Sequence, residues 1–422
     1  MSGTGLNGSQ RGWGHRLIRM SGRDPREPHR AATPLELLFD LTFVVAISQA
    51  SAELAHLLAD GHTTSALLAF GFSMFAICWA WFNFSWFASA YDTDDWFFRL
   101  TTMVQMIGVL VLALGLPAVF DSIDAGEHVN NELVVAGYVV MRIAMVAQWL
   151  RAAQGDAARR RVLLAYAGCI AVAQIGWLAL AIADVSLGTF GLFAALLYLI
   201  ELGGPVVAEG RFGRTAWHPH HIAERYGLLI IITLGEVILG TVASVSAVVE
   251  MQGWSAEAIL VVVSGIGLAF GLWWAYFMLP SGALLARYRS RSWGWGYGHM
   301  LLFASIAAVG SGLHVAAYVI EGHAHIDVTA AVLTVAVPVL IFCVALFSLD
   351  SFLLGEPAWF QAVPLLSAIV LLALALVLAA YGLPLGLCLL VVTTAPAVIV
   401  AAFEAGGHRA QAIAVSRALE RD

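Results

Sequence analysis

Residues 33–58, TPLELLFDLTFVVAISQASAELAHLL, decide how the rest of the chain is read. The run is almost wholly apolar, and at about 1.5 Å per residue it is long enough for a helix to cross a bilayer. It opens on Thr33-Pro34-Leu35-Glu36, the pattern of a helix start with Thr as cap, Pro in the first turn and Glu reaching back. One turn inside lies Asp40, in surroundings where a charge is costly. Runs of the same kind recur near 63–89, 96–120, 131–152, 160–183, 186–207, 219–248, 254–279, 296–320, 328–348, 360–380 and 384–405. The prediction is therefore an all-α polytopic membrane protein with about twelve transmembrane helices. Composition agrees: 60% of residues are hydrophobic and 12% charged, far from the roughly 25% charged of a soluble domain.

Charge sets the orientation. Every basic residue other than His is Arg. Arg11, Arg16, Arg19, Arg23, Arg26 and Arg30 precede the first run; Arg151, Arg159, Arg160 and Arg161 follow the fourth. Arg211 and Arg214 follow the sixth, Arg287, Arg289 and Arg291 the eighth, and Arg409, Arg417 and Arg421 the last. Twelve spans place all of them on one side, while connections such as 121–130 and 321–327 contain no Arg. By the positive-inside rule the expectation is a cytoplasmic (plasma) membrane protein with both termini cytoplasmic. Residues 1–32 read as a disordered basic tail, 33–207 as a first half, 208–405 as a second and 406–422 as a C-terminal tail. Aligning Glu36 with Glu224, and the aromatic patch 79–87 with 273–277, predicts a parallel 6+6 internal repeat.

Ionisable residues inside apolar runs mark structural pairs or sites, because each costs about 2.5–3.5 kcal/mol on insertion scales unless compensated. The candidate binding or coupling residues are Glu36, Asp40, Arg142, Glu201, His221, Glu224, Arg225, Glu236 and His299. Glu36 and Asp40 share a helix face and need a cation nearby. Glu36 has two readings, a capping carboxylate or a member of a buried network. The partner of Arg142 is expected to be Glu201, Asp40 or Glu224. Its depth, and that of the inner acids, predicts one near-neutral cluster toward the cytoplasmic side. Glu236, between Gly235 and Gly240, reads equally as a titrating carboxylate or a packed polar group. His221 and Glu224 are spaced as half a metal site, too little to predict a metal. No cofactor and no nucleic-acid partner is expected, and Cys78, Cys169, Cys343 and Cys388 show no ligand or disulfide spacing. Neither a phosphate-binding GxxxxGK loop nor an HExxH motif is present.

Two segments carry a resemblance. TPLELLFDLTFVVAISQ at 33–49 resembles the opening of the bacterial low-temperature-requirement A (LtrA) family, and HHIAERYGLLIIITLGEVILG at 220–240 resembles its second signature. WWAYF at 273–277 and the YGH start at Tyr297–His299 are similar as well. The resemblance covers about residues 30–400. Leu38 and Thr42 stand where the family pattern often has Phe and Val, beside the acids without replacing them. The resemblance implies an integral membrane protein and singles out Glu36, Phe39, Asp40, His221, Glu224, Arg225, Gly235 and Glu236. It implies no activity. The expectation is a secondary, proton-coupled carrier of a small solute rather than an enzyme, with the bilayer and that solute or ion as partners. A cation channel is the alternative, through a faint likeness of Phe39-Asp40 to the helix openings of endolysosomal potassium channels; a membrane-embedded enzyme acting on a lipid or isoprenoid is the other.

Overall fold

The computed structural model describes residues 17–25, 27, 30–126, 128–183 and 185–421. The described elements are helical: α1 (Pro34–Ala59), α2 (Thr63–Tyr91), α3 (Trp96–Asp124), α4 (Glu132–Gly155), α5 (Arg160–Ile182), α6 (Leu187–Phe212) and α7 (Pro219–Gln252). They continue with α8 (Ala256–Tyr276), the short α9 (Ser281–Arg287), α10 (Ser292–Glu321), α11 (Val328–Leu354), α12 (Ala362–Ala380), α13 (Leu385–Ala402) and α14 (His408–Glu420). Among the described residues twelve helices are long and apolar enough to cross a membrane. They coincide with the twelve predicted runs; α9 and α14, too short or too polar to register as spans, are additions.

Local chemistry sets the helix starts. Thr33 caps α1: its side chain accepts from Glu36 N, while Glu36 Oε2 accepts from Thr33 N at 2.7 Å, closing a capping box. Asp95 caps α3 and Asp327 caps α11 through their carboxylates. At α7 the cap is His218, whose side chain accepts from His221 N, with Pro219 in the first turn.

The helix α7 packs on α1, α8 and α10, and α1 packs on α2, α3 and α10. This places the first helix of each predicted half side by side. Contact of α7 with α10 requires small residues: a Cβ on Gly310 would stand 2.6 Å from the Glu236 carbonyl carbon. Gly240 meets Gly310 directly, whereas among the described residues outside its own helix turn nothing lies within 4 Å of where a Cβ on Gly235 would stand.

The Arg-rich segments gather on one face of the bundle. Arg30 donates to Ser89 O at 2.5 Å and Ala88 O at 2.7 Å, satisfying carbonyls at the end of α2. Arg19 donates to Gly155 O, Arg151 to Asp95, and Arg289 to Trp217 O. Near the C-terminus Arg421 pairs with Glu356, and Arg291 donates to Leu353 O. The opposite face joins His62 to Asp124 at 2.8 Å and His325 to Asp60 at 3.4 Å. Of the N-terminal tail, the described part is held against the bundle: Met20 is buried and Arg23 N donates to Ala90 O. Residues 1–16 lie outside the described residues.

Candidate functional site: a buried ion network between α1 and α7

Four of the predicted residues meet between α1 and α7. Asp40 and Glu36 lie one turn apart on α1, and His221 and Arg225 one turn apart on α7. Arg225 donates to Asp40 Oδ1 at 2.5 Å and reaches Glu36 Oε1 at 3.3 Å. His221 Nε2 lies 3.2 Å from Glu36 Oε1 and 3.3 Å from Oε2. All four side chains are fully buried. Both readings of Glu36 hold at once, since one oxygen closes the capping box and the other faces Arg225.

α2 supplies the rest. Trp81 Nε1 donates to Asp40 Oδ1 at 2.6 Å, and Ser85 Oγ accepts from Arg225 at 3.2 Å. The guanidinium also lies 5.6 Å from the Trp81 ring centre and 5.9 Å from that of Phe84. Trp81 and Ser85 stood in the aromatic patch 79–87 without an assigned role. Their i,i+4 spacing on one helix face was the available signal, but an indole in an apolar run looks like packing until its N–H is seen to face a carboxylate.

Two carboxylates, one guanidinium and one imidazole are therefore in direct contact. The set is neutral when it holds one proton, on His221 or on a carboxyl group. It carries a single negative charge when that proton leaves. Asp40 Oδ2, Arg225 Nε and His221 Nδ1 have no hydrogen-bond partner among the described residues.

The other predicted residues lie elsewhere. Arg142 does not join this network; the single inner cluster expected from depth is two separate sites. Arg142 of α4 pairs with Glu201 of α6 at 3.2 Å, both side chains 5% exposed. Trp177 of α5 donates to Glu201 at 3.2 Å, and the Arg142 guanidinium lies 5.0 Å from the Tyr138 ring centre. Cavities of about 20 and 10 Å³, each near the size of one water, flank Glu201. Glu224 is exposed on the Arg-rich face, where it accepts from Ala32 N at 3.3 Å.

Glu236 is buried about three turns beyond Arg225, with Ser48 of α1 as neighbour and Oε1 unpartnered among the described residues. His299 is satisfied on both nitrogens. Nδ1 lies 2.7 Å from Trp295 O and so donates, leaving Nε2 to accept from Tyr276 at 3.0 Å. Arg99 forms an exposed pair with Asp94. The sequence reading missed Asp350 of α11, buried and accepting from Gln361 at 2.9 Å. Among the described residues no three His, Cys, Asp or Glu side chains converge to hold a metal ion.

The polar surroundings extend to the Arg-rich face. A cavity of about 630 Å³ there is lined by Pro219 and His220 at the start of α7, beside the network. Asp92, just past α2, is nearly buried, with Arg23 3.8 Å away. Burial, then the Glu36 charge, pushes its carboxyl up to about 6 against the pull of Arg30 and Arg23. A carboxyl raised in the folded state binds its proton more tightly there than in the unfolded chain. Folded stability therefore falls as pH rises from about 4 to 6. Asp92→Asn removes that penalty, by at most about 3 kcal/mol. The variant should melt higher than the parent in detergent at pH 7–8, with the gap closing toward pH 4; a gap independent of pH would contradict the assignment.

The family described as bacterial low temperature requirement A protein (LtrA) matches residues 31–396 of the chain. An uncharacterised protein of Rhizobium meliloti (strain 1021), RA0937, is 26% identical over 259 residues. That alignment covers 57% of this chain and 57% of the relative, so the match spans a little over half the length of each. No solved structure matches the chain.

Proposed function

The chain belongs to the bacterial LtrA family, and from that premise we propose that it is a secondary, proton-coupled carrier of a small solute in the plasma membrane, with the Arg-rich face cytoplasmic. The observation that carries this reading is the charge count between α1 and α7. A network that is neutral with one proton and charged without it can exchange that proton for another cation, or couple its release to movement of a guest. Unused hydrogen-bonding atoms on Asp40 and Arg225 suit a small polar guest. Glu236, buried farther along α7, would extend a proton path toward the opposite face.

A 6+6 repeat fits the same reading, because the network then bridges the first helix of each half. Neighbour order supports it: α1 packs on α2 and α3, α3 on α4, and α5 on α6, while α7 packs on α8 and α10, α10 on α11, and α12 on α13. Against a strict repeat, α8 also packs on α13 to an extent that α2 and α6 do not match.

The test is proton flux in proteoliposomes with an entrapped pH dye, a valinomycin-clamped potassium gradient and a panel of small solutes. Wild type should move protons only with one solute gradient, and folded Asp40→Asn should not. Persistent flux in Asp40→Asn would remove the network from the mechanism. Solute-independent conductance would indicate a channel. Folded wild type that moves nothing across the panel would end the carrier reading in favour of a lipid-acting enzyme.

A further inference from the structure

The cavity of about 630 Å³ on the Arg-rich face is lined by Arg159, Arg214, Arg289, His218, His220 and Glu27, among others. Several of these groups already have partners within the fold. Glu27 is committed to Arg23 at 2.8–2.9 Å, and Arg159 to Asp156 at 2.9 Å. His218 is used on both sides: Nδ1 accepts from His221 N, so Nε2 carries the proton toward Glu27 O at 2.8 Å. Thr215 gives its N–H and hydroxyl to Glu209.

What remains is two guanidiniums and an imidazole. Arg214 and His220 have no hydrogen-bond or ion-pair partner among the described residues. Arg289 spends one N–H on Trp217 O at 2.9 Å, and its guanidinium lies 3.9 Å from the Trp217 ring centre. That stacking holds the fork in place and strips one face of water, leaving its other donors available. Arg214 and Arg289 are close enough to repel one another, and Glu209, the acid near both, already accepts from Thr215 and Tyr166. One carboxylate beside two guanidiniums leaves the cavity with a net positive charge facing a space of ligand size. The first turn of the 34-residue helix α7 lines it and adds the positive end of a long dipole.

We infer that this vestibule is a binding site for a phosphate-bearing anion, gripped by Arg214 and Arg289 with His220 beside them. Guanidinium forks match phosphate oxygens two at a time, and the volume leaves room for an organic group behind the phosphate. The anion can be a soluble phosphomonoester or a lipid headgroup, because the Arg-rich face lies where headgroups do. The site is distinct from the buried network, and binding is measured without flux, so its failure and that of the carrier reading are separable.

The experiment uses the full chain in phosphatidylcholine nanodiscs at constant ionic strength. One arm titrates inorganic phosphate and glycerol 3-phosphate by calorimetry. The other compares thermal unfolding with and without phosphatidic acid in the disc. Wild type should respond in at least one arm. Arg214→Gln and Arg289→Gln should weaken binding roughly tenfold or abolish the thermal shift, while the exposed Arg160→Gln should change neither. Arg214 is exposed and has no hydrogen-bond or ion-pair partner among the described residues, so its variant keeps the fold, which the ligand-free melting point verifies. A response only to the soluble ligands assigns a solute, and one only to phosphatidic acid assigns a lipid. Silence of folded wild type in both arms, or wild-type binding by Arg214→Gln and Arg289→Gln, overturns the inference.

Discussion

Arg225→Gln is expected to cost about 3–5 kcal/mol of stability, because it leaves Asp40 and Glu36 one turn apart in the bundle without their cation. The cost is that of uncompensated buried charge rather than of one lost contact. Arg225 donates to Asp40 at 2.5 Å, approaches Glu36 at 3.3 Å and takes Ser85 as a further acceptor. The effect should be strongly non-additive. Arg225→Gln combined with Asp40→Asn exposes one carboxylate fewer to an apolar surrounding and keeps an acceptor for Trp81 Nε1. The double variant should therefore be more stable than Arg225→Gln alone. Unfolding in mixed micelles measures both. A single variant within about 1 kcal/mol of wild type, or simple addition in the double, would mean that the network does not hold α1 to α7.

The second large effect is expected at the pair inside the first six helices. Arg142→Gln and Glu201→Gln should each destabilise by about 3–5 kcal/mol, since each strands the opposite charge where both side chains are only 5% exposed. Arg142→Met with Glu201→Leu, by contrast, should be destabilised less than either single variant, because removing both charges together also removes their desolvation cost. Trp177 then loses its acceptor, a smaller penalty of about 1–3 kcal/mol. If the apolar double variant unfolds as readily as the singles, the pair contributes packing that charge bookkeeping does not capture. Solute flux separates structure from mechanism here: a stable apolar double variant that still transports assigns Arg142 and Glu201 to the scaffold.

What the sequence determined by itself is the set of spans and the sidedness of charge. An apolar run of bilayer length is legible residue by residue, since transfer of each side chain from water is close to a local property. So α1 and α7 appear in the sequence with their first turns, Thr33-Pro34 and Pro219, and the Arg residues outside the runs already sort to one face. Asp40 and Arg225 were legible for the same reason, as local charges too costly to stand alone.

Partnership was not local. Three acids could have answered Arg142, and only the packing of α4 and α6 around Trp177 selects Glu201. Trp81 became a ligand of Asp40 only when α2 was laid across α1. His299, charged with the same suspicion as His221, is satisfied by Trp295 and Tyr276. The helices α9 and α14 lacked the apolar length that marks a span, and they take their places from contacts on the Arg-rich face, such as that of Arg287 with Arg421 O. Hydrophobicity is carried by each residue, whereas a hydrogen bond or ion pair needs a second group brought within about 3 Å, and across helices only tertiary packing brings it there.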